Sequence, residues 1–137
     1  MSSKLASKNF HASGKRKRAV ARVTVMPGKG ALSINSVALE HYGNELNRSR
    51  IREPLILAGE AGNKLDIKVR VAGGGATGQA DAVRLAIGRA LVQYDASLRT
   101  KLLDYDRQLL VADIRRKESA KPNSHGQARS KVQKSYR

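Results

Sequence analysis

The aliphatic positions of this chain recur with two different periods. Ala19, Ala21, Val23 and Val25 alternate with Arg22 and Thr24, the period of two that a half-buried strand requires. Pro27-Gly28-Lys29-Gly30 reads as a turn, because Pro presets φ and Gly admits positive φ. Leu32 and Ile34 then resume the alternation, which predicts a hairpin. The clearest strand is 65–71, with Leu65, Ile67, Val69 and Val71 on one side and Asp66, Lys68 and Arg70 on the other. After it the period lengthens. Ala80, Val83, Ile87, Ala90, Leu91 and Tyr94 form a stripe at helical spacing over 79–94, with Arg84 and Arg89 off its centre. Leu46, Ile51, Leu55 and Ala58 predict a helix within 44–58, its length limited by Pro54. A shorter helix is predicted at 98–103 and a last strand at 109–114, while 37–42 fits neither period.

Outside these elements the pattern stops. Residues 1–18 and 115–137 show no core-forming period, and 1–18 are expected to be mobile or extended. The chain therefore divides into a basic N-terminal arm (1–18), a globular domain (19–114) and an extended basic tail (115–137). At 137 residues there is room for one compact domain. The expected class is α+β: a small sheet flanked by helices, containing a strand–glycine loop–helix–strand unit.

Charge sharpens this division. Residues 1–39 hold eight Lys/Arg and no acid, 40–114 hold eleven against ten, and 115–137 hold eight against Glu118 alone. Nearly all of the net +16 thus lies in the two ends. Blocks of one sign repel themselves and mark segments that bind a polyanion. No apolar run approaches the roughly 20 residues needed to span a bilayer, and no partner membrane is expected. Cysteine is absent, which fits a reducing compartment. The acid-free start has the composition of an organelle transit peptide, but Leu5 and Phe10 are too few to make an amphipathic face.

The segment Gly73-Gly74-Gly75-Ala76-Thr77-Gly78-Gln79 matches Gly-x-Gly-x-x-Gly and the first half of a P-loop. Such loops hold phosphate through backbone N–H groups at a helix N-terminus. Here Gln79 and Ala80 replace the Lys and Ser/Thr that a nucleotide would need, and no second βαβ unit follows. A tight turn for helix–sheet packing, or an RNA phosphate against the same N–H groups, fits better. Bulk at Gly75 is expected to clash with packing or with that phosphate. His11, His41 and His125 lack metal-ligand spacing and read as surface or RNA-contact residues. Asp104 and Asp106 have no argued substrate pocket and are expected to terminate a helix or neutralise Arg107. No nucleophile has a base beside it. The chain is expected to be no enzyme and to carry no metal or cofactor.

The glycine loop and its helix carry more than a generic motif. Gly74-Gly75, Gly78-Gln79, Ala82, Ala86 and Gly88-Arg89-Ala90-Leu91 resemble the signature of the small-subunit ribosomal protein nine family, protein sixteen in eukaryotic numbering. Gly14-Lys15-Arg16-Lys17 with Ala19-Val20-Ala21-Arg22-Val23 resembles its opening. Gly28-Lys29-Gly30 with Ile34-Asn35, and Arg52-Glu53-Pro54-Leu55, resemble its first hairpin and the start of its first helix. Residues 113–117, Ala128-Arg129 and the terminal Gln133-Lys134-Ser135-Tyr136-Arg137 resemble its tail, in the archaeal and eukaryotic form. The resemblance covers 14–137.

It implies a structural constituent of the cytoplasmic small subunit, seated on ribosomal RNA in the head among neighbouring head proteins. It implies a left-handed strand–helix–strand crossover, against the usual hand. It also implies that the tail threads through RNA to transfer RNA at the peptidyl site. Charge and resemblance together select Lys15, Arg16, Lys17, Arg18, Arg22, Gly73, Gly74, Gly75, Gly78, Gln79, Arg84, Arg107, Arg115, Arg116, Lys117, Lys121, Arg129 and Lys131 as candidate ribosomal-RNA contacts. Lys134, Ser135, Tyr136 and Arg137 are the candidate transfer-RNA contacts. A free-standing nucleic-acid-binding regulator and a nucleotide-dependent enzyme are the rival readings.

Overall fold

The computed structural model describes residues 9–116 and Ser119. Five strands form one mixed sheet in the order β1-β2-β5-β3-β4. They are β1 (Phe10–Arg16), β2 (Ala19–Pro27), β3 (Leu32–Ile34), β4 (Val37–Ala38) and β5 (Leu65–Ala72). β1 and β5 both pair antiparallel to β2, and β3 runs parallel to β5. The helices are α1 (Glu45–Ala58), α2 (Glu60–Asn63), α3 (Ala76–Tyr94) and α4 (Leu98–Tyr105), with 3-10 turns at Leu39–His41 and Arg107–Leu109.

The alternation read in β2 and β5 places their aliphatic residues on one face. Ala19, Ala21, Val23, Val25, Leu65, Ile67, Val69 and Val71 are all buried there. α3 packs across β1 and β2 on this face, and α1 packs on α3. Between sheet and α1, α3 buries more than one stripe: Ala82, Leu85 and Ala86 are inside along with Ala80, Val83, Ile87, Ala90 and Leu91, whereas Tyr94 is 39% exposed. Small residues make the close approach possible. A Cβ on Gly14 would run into the Ala82 carbonyl and come 2.7 Å from Ala86 N.

Turns and caps fix the remaining geometry. Asn35 (φ 51) and Ser36 (φ 67) take the left-handed conformations of a two-residue hairpin turn between β3 and β4. The Asn35 amide continues the sheet past β3, donating to the Val71 carbonyl (3.0 Å) and accepting from its N–H (2.9 Å). Asn44 caps α1 by accepting from Asn47 N at 2.9 Å. α1 runs through Pro54, which is itself buried, to Gly59 at φ 63. The proline removes one backbone donor without ending the helix. Leu46 is 62% exposed and does not share the inner face of Ile51 and Ala58.

The hairpin predicted across the 27–30 turn does not form, because β5 lies between β2 and β3 and pairs with both, and further elements differ from the sequence reading. Phe10–Arg16, placed in the arm, is a full strand of the sheet. Its inward positions are Phe10, Ala12, Gly14 and Arg16, so two of the four are small and one is charged, and no hydrophobic period shows. Residues 109–114 are not a strand. Leu109 ends the 3-10 turn and is fully buried beside Gly88, and the chain then runs irregularly to Ile114, which is 90% exposed. Consequently no strand follows α3 among the described residues, and the parallel pair is β3 with β5, joined through β4, α1 and α2. Residues 37–42 split between β4 and a 3-10 turn.

Candidate nucleic-acid interface

The strand alternation that buries the aliphatic residues turns polar ones outward. On the open face of the sheet, Thr24 lies opposite His11 on β1 and Lys68 on β5. One pleat along, Arg22 lies opposite Ser13 and Arg70. These six residues line a shallow depression. Thr24 Oγ1 and His11 Nδ1 are 3.3 Å apart. Arg22, Lys68 and Arg70 are exposed, and none makes an ion pair among the described residues. The nearby carboxylate of Asp66 is engaged elsewhere. It accepts from Ala31 N (3.1 Å) and Lys29 N (2.9 Å), and these backbone N–H groups hold its pKa below the usual range.

A second set of candidates converges at one end of the sheet. The β1–β2 turn carries Lys17 and Arg18, with Lys17 at φ 53. The glycine loop lies against it. Gly73 (φ 79) and Gly74 (φ 64) need their conformations, and a Cβ on Gly73 would stand 2.5 Å from the Arg18 carbonyl. A Cβ on Gly74 would stand 3.1 Å from Ala19 N. Gly75 differs: it caps α3 in an extended conformation (φ −100), and nothing lies within 4 Å of a Cβ built on it. The expected packing clash at Gly75 is therefore corrected; close approaches to helix, loop or strand backbone occur instead at other glycines, Gly14, Gly73, Gly74 and Gly88 among them. Gln79 locks the loop from inside, donating to the Gly73 carbonyl (3.1 Å) and accepting from Tyr42 Oη (3.1 Å).

The root of the tail reaches the same end. Arg116 donates to the Lys17 carbonyl. Asp113, whose side chain is 10% exposed, meets both Arg16 and Arg115, the latter at 2.7 Å. Arg16 also faces Asp81 at 3.9 Å, and Asp81 faces Arg50 at 3.3 Å. A chain of alternating charge thus joins α1, α3, β1 and the tail root.

The candidate residues consequently divide by what their side chains already hold. Lys15, Lys17, Arg18, Arg22 and Arg107 are exposed, Arg107 on the 3-10 turn beyond α4. Arg16, Arg115 and Arg116 are tied within the fold. Arg84 is the clearest departure. Its side chain is 12% exposed and sits between Glu53 (2.5 Å) and Asp106 (2.9 Å), so its guanidinium joins α1 to α3 and the 3-10 turn. Burial by itself lowers its pKa, but hydrogen bonds and charge from Asp106 and Glu53 outweigh that and hold it above the usual value. Asp106 ends α4 and caps the following turn through Gln108 N, and its charge partner is Arg84 rather than Arg107. Lys117, Lys121, Arg129, Lys131 and residues 134–137 lie outside the described residues. Lys68 and Arg70 are not among the sequence candidates, although their outward register is readable, and they share the open face with Arg22. The signal was their position opposite Thr24 and Arg22, which appears only once β2 and β5 are paired.

No group of His, Asp or Glu among the described residues could hold a metal ion. No helix there is long and apolar enough to cross a membrane. A mixed sheet, with helices packed on its aliphatic face and unpaired cations on the other, defines a small basic α+β protein whose exposed chemistry suits a polyanion.

The family model described as ribosomal protein S9/S16 matches residues 14–137, and the chain belongs to that family. Its relatives include archaeal proteins named small ribosomal subunit protein uS9. That of Methanothrix thermoacetophila is 48% identical over 132 residues, covering 95% of this chain and 99% of the relative. That of Picrophilus torridus is 45% identical over 126 residues, covering 90% and 94%. That of Aeropyrum pernix is 46% identical over 142 residues, covering 90% and 93%. These are ribosomal structural proteins, and the nucleotide-enzyme reading of the glycine loop falls with that membership.

Proposed function

We propose that this chain serves the cytoplasmic small ribosomal subunit as a structural protein, binding ribosomal RNA in the subunit head beside neighbouring head proteins. Its C-terminal tail extends to transfer RNA at the peptidyl site. The observation that carries the reading is the pole where Lys17, Arg18, the glycine loop and the tail root meet, in a chain of the S9/S16 family. Exposed Lys and Arg displace counterions from phosphates that otherwise repel one another in a folded RNA. Arg suits bidentate phosphate contact, and Lys acts as a point charge. Few aromatics are present, so base stacking is a minor contribution.

Two measurements test this reading. Tagged protein should sediment with small subunits in low salt and persist there in moderately high salt; sedimentation apart from ribosomes would favour a free-standing regulator. Deletion of residues 134–137, which remove Lys134 and Arg137, should leave the protein in the subunit. Filter binding of initiator transfer RNA to those subunits should then show a salt slope lower by about 1.5, at ~0.7–0.9 per phosphate contact. An unchanged affinity and slope would mean that the end of the tail touches no transfer RNA.

A further inference from the structure

The open face of the sheet holds a combination of charges that the fold itself does not need. Arg22 and Arg70 are direct cross-strand neighbours, and Lys68 lies one pleat along β5 from Arg70. Neighbouring strands are roughly 5 Å apart, and like charges directly opposite one another destabilise a sheet. No carboxylate among the described residues pairs with them; Asp66, one pleat from Lys68, is instead held by the backbone N–H groups of the β2–β3 turn. The rest of the chain is itself strongly cationic. Residues 1–8 contain Lys4 and Lys8 and no acid, and 117–137 contain six Lys/Arg against Glu118.

We infer that this face is a second RNA platform, on which Arg22, Arg70 and Lys68 grip one ribose–phosphate strand across β2 and β5. The inference rests on the ribosomal-RNA reading above and adds to it a surface separate from the pole and the tail. The platform works through the backbone of the RNA and not its bases. Its three cations meet phosphates, and the flanking polar groups of His11, Ser13 and Thr24 hydrogen-bond to phosphate or 2′-hydroxyl oxygens. No Phe, Tyr or Trp lies among these residues; Phe10 is on the inner face, edge-on to Tyr94 with ring centroids 5.9 Å apart. Stacking on Phe, Tyr or Trp, the usual way a sheet holds single-stranded RNA, is therefore not how this platform binds.

The test uses the full-length chain and in-vitro-transcribed small-subunit ribosomal RNA, with binding measured across a salt series. The triple variant Arg22→Gln/Lys68→Gln/Arg70→Gln should bind roughly tenfold or more weakly, with a salt slope smaller by about 2–2.7 for three lost phosphate contacts. Because the change removes like-charge repulsion, its melting temperature should not fall. Arg22→Lys/Arg70→Lys should keep most of the slope. Should the triple variant fold poorly, Lys68→Gln alone should lower the slope by about 0.7–0.9. In parallel, an amine-reactive reagent followed by mass spectrometry reads Lys68 directly, which should react in the free chain and be protected in the binary RNA complex. Wild-type binding that the triple variant reproduces, with Lys68 still reactive, overturns the platform while leaving the ribosomal-RNA reading intact. Protection of Lys68 only in whole subunits means that an acidic protein segment covers the face, and it overturns the RNA assignment. Failure of the wild-type chain to bind this RNA at all overturns the parent reading.

Discussion

Gly75 and Gly14 show how a residue's neighbours decide its role. In sequence, Gly75 sits in a conspicuous motif and Gly14 in a basic run. In the fold, space around Gly75 is open, while Gly14 lies against the α3 backbone. Gly14→Val should therefore destabilise the domain by at least the ~1–3 kcal/mol typical of overpacking, since backbone cannot rotate away as a side chain can. Gly75→Ser should melt at or above the wild-type temperature. α3 has no side-chain cap, φ at Gly75 is −100, and Ser is a favoured N-cap residue. Thermal denaturation of both variants checks the pair; a large loss at Gly75 would show that the loop is tight after all. Arg84 carries the same lesson for charge. Its position off the apolar stripe was readable, but Glu53, 31 residues away, and Asp106, 22 away, became its partners only through packing of α1 and the 3-10 turn on α3.

Elements with a pronounced period were legible, and those whose period is masked were not. β2, β5 and α3 announced themselves because their inward positions are aliphatic. β1 did not, because Ala12 and Gly14 occupy the places where larger residues would mark a strand. The 109–114 run misled for the opposite reason: its leucines fill a gap beside α3 instead of alternating across a sheet. Junctions between elements depend on carboxylates, and this gives the domain an acid limit. Asp66 is held below the usual range by the Ala31 and Lys29 N–H groups. Asp95 is lowered by the Ser97 hydroxyl and N–H. For Asp106, burial pushes upward, but Gln108 N and Arg84 outweigh it and the net shift is downward. A folded-state pKa below the unfolded one contributes stability that is fully present above the unfolded value and is lost as pH falls through the folded value. Melting temperature should thus be level from pH 7 to about 5 and fall below about 4, near the unperturbed Asp value. Asp106→Asn should reduce that acid sensitivity and also lower the melting temperature at pH 7, since Arg84 would keep only Glu53. A melting curve insensitive to pH down to 2.5 would contradict the assignment.

At the scale of the whole molecule, the charge blocks were the most legible feature, yet their meaning changed in the fold. Several of the basic residues near the ends hold the chain together before any polyanion is met: Arg16 and Arg115 at Asp113, and Arg116 at the Lys17 carbonyl. The family resemblance was carried by local motifs, whereas the outward cations of β2 and β5 required the pairing register to become a surface.

The tail root also changes what the free chain can do with its own copies. A sheet whose outer strand shows bare carbonyls and N–H groups is a template on which another chain can add a strand. Here β4, at one margin, is only two residues long. At the other margin, Arg89 donates to both the Ser13 carbonyl (3.0 Å) and the Leu110 carbonyl (3.1 Å), drawing the segment after α4 along β1, and Arg116 occupies the Lys17 carbonyl. Concentrated protein without RNA should therefore stay monomeric in light scattering. Arg89→Leu should release that segment and bring time-dependent growth of large species at the same concentration. If scattering stays flat for the variant, the margin of β1 is protected by its charge alone. If the large species do grow, the free chain owes a long shelf life in solution to one arginine, which holds the segment after α4 against the margin of the sheet.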